Sequence, residues 1–213
     1  MKQLDAVYLP DLHQQDDYRS LAVGMQALDW HHIDQVNWEN DYPYRPTVQF
    51  QIAYSQQAMV LHYQVEETFL RAQAVHSNGN VWEDSCVEFF VSFDQREHYY
   101  NFEFNILGTG LIGYGPETKS ARRRLSASEI QKVKTFTQIQ QIDGVKTWQI
   151  LLVIPVELVN KDYESLRGTQ AFGNFYKCGD ALPDPHFVSW NPITHERPNF
   201  HLPAYFGQIN FQR

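Results

Sequence analysis

The sequence predicts an all-β fold, an antiparallel β-sandwich with long loops. Three observations carry this expectation. Eight or more short segments alternate apolar and polar residues with a period of two. Aromatic residues make up 15% of the chain, and aromatic side chains favour the pleated, half-buried surface of a strand. No internal repeat and no linker interrupts the series, so the 213 residues read as one domain, residues 1–213, with residues 1–30 as an N-terminal extension packed on it.

The elements follow in order. "VQFQIAY" places Val48, Phe50, Ile52 and Tyr54 on one face, and "MVLHYQV" does the same for Met59, Leu61, Tyr63 and Val65. With "SQQA" between them they form an antiparallel hairpin. "VEFFVSF" (87–93) and "YNFEFNI" (100–106) flank the polar loop "DQREHY". Their apolar faces match when the register sum is odd. The simplest pairing sets Phe93 against Tyr100, Glu88 against Asn105 and Phe90 against Glu103. Glu88, Glu103 and Asn105 then share one face. Further strands read as "TFTQIQ", "KTWQILLVI", "QAFGNFYK", "FVSW" and "GQINF". In the second of these both faces are apolar, which predicts burial on two sides. "PVELV" (155–159) suits a helical turn, and 115–131 reads as a polar loop or short helix.

A net charge of −8 argues against nucleic acid and anionic membrane as partners. No stretch approaches the ~20 apolar residues of a helical membrane span. "MKQLDAVYLPDLHQQDDYRS" lacks the apolar centre of a signal peptide. The expectation is a cytoplasmic protein if Met1 is the native start, and a periplasmic or extracellular one if a signal was removed. Cys86 and Cys178 do not make a disulfide framework; a single bridge and two buried thiols both remain open.

Several constellations invite chemistry. Glu83, Asp84, Glu88 and Glu103 contain the paired carboxylates a glycosidase needs, yet they also suit the polar face of a sheet. The nine histidines fall into no zinc spacing. Asp180, Asp184 and His186 read as a solvated loop rather than a cation site, and Met59 and His62 point to opposite faces of their strand, against haem ligation. The basic run "ARRR" (121–124) has no interleaved aromatics and reads as a solvated face. No phosphate-binding glycine loop and no Gly-x-Ser-x-Gly elbow is present. The loop aromatics Trp38, Trp82, Trp190 and Phe200 remain. A flat ring stacks on the apolar face of a sugar while nearby polar groups bond its hydroxyls, although core burial is the ordinary fate of tryptophan, Trp190 above all.

"IDQVNW", "VWEDSCVEFFVSF", "YYNFEFNILGTG", "LVIPVE", "FVSWNP" and "PNFHLPAYFGQINF", together spanning residues 33–211, resemble the family 9 carbohydrate-binding modules in a stand-alone, Bacteroidetes-type form. The resemblance implies a β-sandwich of jelly-roll or immunoglobulin-like, DOMON-like topology. It also implies non-catalytic binding of a glucan or xylan end in polysaccharide catabolism, with no cofactor. In that family two tryptophans hold the terminal sugar between them. One matches Trp82; the position of the other holds Phe200. The family's acid matches Glu88. Its sugar-contacting arginine matches Glu103, a reversal of charge, and an asparagine matches Arg197. The expected carbohydrate contacts are therefore Trp82, Phe200, Glu88, Glu103, Asn105 and Arg197. The family's calcium sites match no motif, so no metal is expected. Two alternatives stand beside this reading: a glycoside-active enzyme using Glu88 and Glu103, and a structural or interaction domain that has lost its ligand.

Overall fold

The computed structural model describes all residues from 1 to 213. Its strands are β1 (Gln3–Tyr8), β2 (His31–His32), β3 (Gln35–Val36), β4 (Thr47–Tyr54), β5 (Ala58–Glu66), β6 (Cys86–Ser92), β7 (Tyr99–Asn105), β8 (Gly110–Gly115), β9 (Arg123–Arg124), β10 (Lys134–Ile142), β11 (Val145–Pro155), β12 (Gln170–Cys178), β13 (Phe187–Ser189) and β14 (Gly207–Phe211). Three short helices accompany them: α1 (Tyr18–Met25), α2 (Ala127–Ile130) and α3 (Tyr163–Leu166). No helix is long and apolar enough to cross a membrane.

The strands form one curled path, β10-β11-β5-β4-β1-β14-β12-β6-β7-β8-β9. Strand β1 is the corner. Gln3–Ala6 pairs in parallel with β14, and Val7–Tyr8 pairs in parallel with β4. One strand that switches partners folds the path into two facing layers. The first residues are therefore part of the sheet. Nothing in "QLDAVY" separates such a strand from a surface extension.

Between the layers lies a core of 36 buried residues. Phe50 of one layer stacks on Phe175 of the other at 3.8 Å between centroids, and Phe89 stacks on Phe175 at 4.8 Å. Trp190 meets both Phe50 and Phe175 edge-on, so this tryptophan belongs to the core. Strand β11 is buried on both faces, as its sequence predicts. Leu151 and Val153 pack outward under α1, against Leu21 and Met25. Asp17 caps α1 by accepting the Ser20 N–H, the usual role of an aspartate at a helix start.

The β4–β5 hairpin has the expected pairing, with Val48 against Val65 and Tyr54 against Met59. The β6–β7 hairpin does not. Glu88 faces Glu103, and Cys86 faces Asn105, two residues from the expected register. The turn explains the shift. Asp94 accepts the His98 N–H at 3.0 Å, Ser92 Oγ accepts the Arg96 N–H at 2.9 Å, and Gln95 and Arg96 both take positive φ. This closure ends the ladder at Val91 and Tyr100 and leaves Phe93 outside it. Because the shift is even, every side chain keeps its face.

A clamp holds one end of the sandwich. The Lys177 ammonium is fully buried and lies 2.8 Å from Glu67 Oε2. It also donates to the Cys178 carbonyl at 2.8 Å and reaches His186 Nε2 at 2.7 Å. Trp148 Nε1 donates to Glu67 Oε1 at 2.7 Å. Burial, and then the lysine beside it, pushes the His186 pKa down to about 3. The ring is therefore neutral, and its Nε2 accepts from the lysine. The ammonium thus has two hydrogen-bond acceptors and an opposite charge in contact, although Glu67 Oε2 itself lacks a well-aligned hydrogen bond.

Candidate functional site

The outward face of the β12-β6-β7-β8 layer, on the far side from the main core, floors a cavity of ≈ 470 Å³. That volume lies within the ~300–1,000 Å³ usual for small-molecule sites. In an antiparallel sheet this face is ordinarily solvated. Here the chain around Trp38 and residues 187–206 cover much of it. Trp38, Phe187, Phe200 and Phe206 pack with Phe90 and Tyr176 into a second apolar cluster. Every residue of β6 is buried as a result, and polar side chains meant for this face end up inside.

Trp82 stands at the cavity wall. A single helical turn, Val81–Glu83, carries it. Its carbonyl accepts the Asp180 N–H at 3.1 Å and lies 3.6 Å from the Cys178 sulfur. The backbone is thus pinned while the indole stays half-buried and lines the cavity. The acids that follow have separate tasks. Glu83 accepts from Asn80 Nδ2 at 2.9 Å. Asp84 is buried and gathers the Gln73 and Ala74 N–H groups, with Arg71 Nε at 3.3 Å. The acid beside the tryptophan therefore ties down the strap that supports it.

Phe200 also lines the cavity, but it is only 8% exposed. Tyr176 stacks flat on it at 4.1 Å, so one of its faces is already used. Trp38 is buried, and its Nε1 donates to the His195 carbonyl.

Glu88 and Glu103 both reach the cavity from its floor. The Cys178 thiol donates to Glu88 Oε1 at 3.1 Å, and Asn101 Nδ2 donates to Glu103 Oε1 at 2.8 Å. Burial raises the Glu88 pKa well above the ordinary carboxylate range, with Cys178 and Glu103 adding to it. Burial raises Glu103 to about 7, against the pull of Asn101, Arg124 and Arg122. Asp180, at the rim, is raised to about 6 by burial and by Glu83.

Two expected contacts lie elsewhere. Asn105 is wholly enclosed. Its amide donates to the Ala74 carbonyl and to Asp84 Oδ2, both at 2.9 Å, while its oxygen accepts the Leu107 and Thr109 N–H groups. With every valence used on the strap and the next turn, it has none for a ligand. Arg197 is exposed and does not line the cavity. Its neighbours Pro198, Asn199 and His201 do. Burial, then Arg122 and Lys119, lowers the His201 pKa to about 3, and its Nδ1 is 2.8 Å from the Tyr99 hydroxyl. The basic run also lines the cavity, through Arg122, Arg123 and Arg124 with Lys119 beside them. Pairing of β9 with β8 brings it there, and no period in the sequence announces so short a strand.

Cys86 and Cys178 are register partners across β6 and β12 and remain free thiols. With Glu88 they bring three potential ligand atoms within 4.8 Å of one another. Asp184 and His186 do not join Asp180 at the cavity, because His186 is committed to the lysine clamp.

The raised Glu103 pKa has a signed consequence. Between about 4.5 and about 7 the folded protein holds a proton that the unfolded chain has released. Stability from this group is complete at low pH and falls as pH rises through that window. Glu103→Gln is expected to gain on wild type by on the order of 3 kcal/mol between about pH 5 and about pH 8, read by urea unfolding at both. A pH-independent difference would contradict the assignment.

A family model for carbohydrate-binding family 9 matches residues 18–211. Among solved structures, a "putative carbohydrate-binding protein" from Bacteroides uniformis ATCC 8492 is 39% identical, with a TM-score of 0.90 over 99% of each chain. A family 9 module from Caldicellulosiruptor kristjanssonii in complex with glucose is 13% identical, with a TM-score of 0.58 over 99% of this chain and 95% of that one. The cellotriose complex of a family 9 module from that organism has a TM-score of 0.59 at 13% identity, over 99% and 94%. At that identity the likeness is one of fold. No functionally curated protein matches the sequence.

Proposed function

The chain belongs to carbohydrate-binding family 9, and on that premise we propose that it binds carbohydrate without transforming it, stacking a sugar ring on Trp82 in the cavity over β6 and β7. The observation that carries this reading is the half-exposed indole, held on a pinned backbone at the wall of a cavity with polar groups on its floor. A tryptophan serving only the core would be enclosed, as Trp38 and Trp190 are. Phe200 adds an edge or one face, and Glu88, Glu103 and Asn199 supply partners for hydroxyls. Glucose and cellotriose, held by the C. kristjanssonii modules, indicate the scale of ligand to try first.

The arrangement does not favour glycosidic cleavage. An acid and a base must flank the bond from two sides. Glu88 and Glu103 are side-by-side register partners on one floor, and Glu88 is engaged by the Cys178 thiol. The test is calorimetric titration with glucose, cellobiose, xylobiose and soluble polysaccharides. Binding in the micromolar to millimolar range with no products formed is expected. Absence of heat with every ligand would count against binding, and release of reducing ends would count against its non-catalytic character.

A further inference from the structure

One feature of the cavity does not follow from stacking and hydroxyl bonding. The chain carries a net charge of −8 with 17 lysines and arginines in all. Four of them, Lys119, Arg122, Arg123 and Arg124, border the cavity, although the Arg123 guanidinium lies over the Tyr114 ring, on the face of β9 away from the cavity floor. None of the four takes part in an ion pair within the molecule. Arg122 donates only to neutral acceptors, namely the Gly115, Pro116 and Tyr99 carbonyls and the Asn101 side chain. Arg124 donates to the Asn78 carbonyl at 2.9 Å. Their charges are thus placed without a direct ion-pair partner, Arg124 and Arg122 acting on Glu103 only through space.

The wall is also built. Arg123 and Arg124 form β9, paired to Tyr114 and Gly113 of β8. Gly115 takes φ +149, and a Cβ there would sit 2.8 Å from Arg122 Cα; only glycine lets the strap lie this close. Arg122 stacks over Tyr99 at 3.8 Å, and Arg124 Cζ lies 6.0 Å from the Trp82 ring centroid. The cationic wall therefore begins at the aromatic platform.

We propose that the sugar this cavity takes is acidic, carrying a carboxylate or sulfate that meets the Lys119–Arg124 wall while its ring stacks on Trp82. The inference rests on the carbohydrate-binding reading and names the ligand class within it. Guanidinium groups suit planar oxyanions, which they bind through paired N–H donors. Of the carboxyls opposite, Glu88 and Glu103 are buried and shifted toward their neutral forms, so they oppose an anion less than their number suggests, while Asp180 is exposed to solvent.

Calorimetry on matched pairs tests this: glucose against glucuronate, galactose against galacturonate, and each neutral sugar against its 6-sulfate and 6-phosphate. The acidic member is expected to bind about tenfold tighter or better, with the advantage shrinking as salt rises. Preference among the carboxylate, sulfate and phosphate arms identifies the group. Lys119→Ala with Arg124→Ala, both exposed side chains, should bring the acidic sugar down toward its neutral match, and Arg124→Glu should do so alone. Neutral sugars binding as tightly as acidic ones would overturn the acidic class while leaving carbohydrate binding intact. An acidic preference unchanged in both variants would overturn the assignment to this wall. No binding of either kind would overturn the carbohydrate reading and, with it, this one.

Discussion

Trp82→Ala is expected to abolish measurable carbohydrate binding while leaving the fold unchanged. The indole supplies the largest flat face open to the cavity. Removing it forfeits its buried contact area and the stacking geometry of an aromatic ring, a loss of about 2 kcal/mol or more. That is roughly thirtyfold in affinity, enough to push a millimolar ligand beyond detection. The fold should tolerate the change because the turn is held by the backbone, through the Trp82 carbonyl and its bond from the Asp180 N–H. Trp82→Phe keeps a flat face and should retain part of the affinity. Calorimetry paired with thermal melts separates the outcomes. Wild-type affinity in Trp82→Ala would remove this residue from the site.

Lys177→Met is expected to be the most damaging single change to stability. It leaves Glu67 buried and without its cation beside Trp148. Removing one partner of a buried pair costs about 3–5 kcal/mol. In a chain of this size each kcal/mol moves Tm by roughly 2–4 °C, so a fall on the order of 10 °C is expected. Glu67→Gln should be damaging for the mirror-image reason. The double variant should be more stable than the sum of the single losses predicts, since neither charge is then stranded. Urea unfolding of the four proteins gives the coupling directly. Strictly additive losses would show that the clamp is not a charge pair.

The sandwich was legible because strand alternation is a local signal. The β4–β5 hairpin and the double burial of β11 follow from apolar residues at matching intervals, and the core fate of Trp190 from the usual burial of tryptophan. Trp82 was legible because it sits outside its strand beside acids. What alternation does not encode is what covers a face. The polar residues of β6 and β7 read as solvent-facing, yet the loops bearing Trp38 and Phe200 cover them. Asn105 thereby became a structural clip and Glu88 a buried acid. The side-chain closure at Ser92 and Asp94 set the β6–β7 register, and a turn of that kind shifts pairing by two without disturbing any pattern. Strand β1 depends on partners far along the chain, and in β8 three of the six residues of "GLIGYG" are glycine, which breaks the alternation that marks a strand. The basic run looked like a solvated face because its neighbours in sequence are polar. Its neighbours in space are Trp82 and Tyr99.

An experimental structure of the protein with a saturating oligosaccharide bound tests the central claim most directly. The account predicts a terminal sugar ring stacked on the Trp82 indole, with hydroxyls bonded to Glu88 or Glu103 and any acidic substituent turned toward Lys119 and Arg124. Sugar bound at another surface, with this cavity vacant, would contradict it.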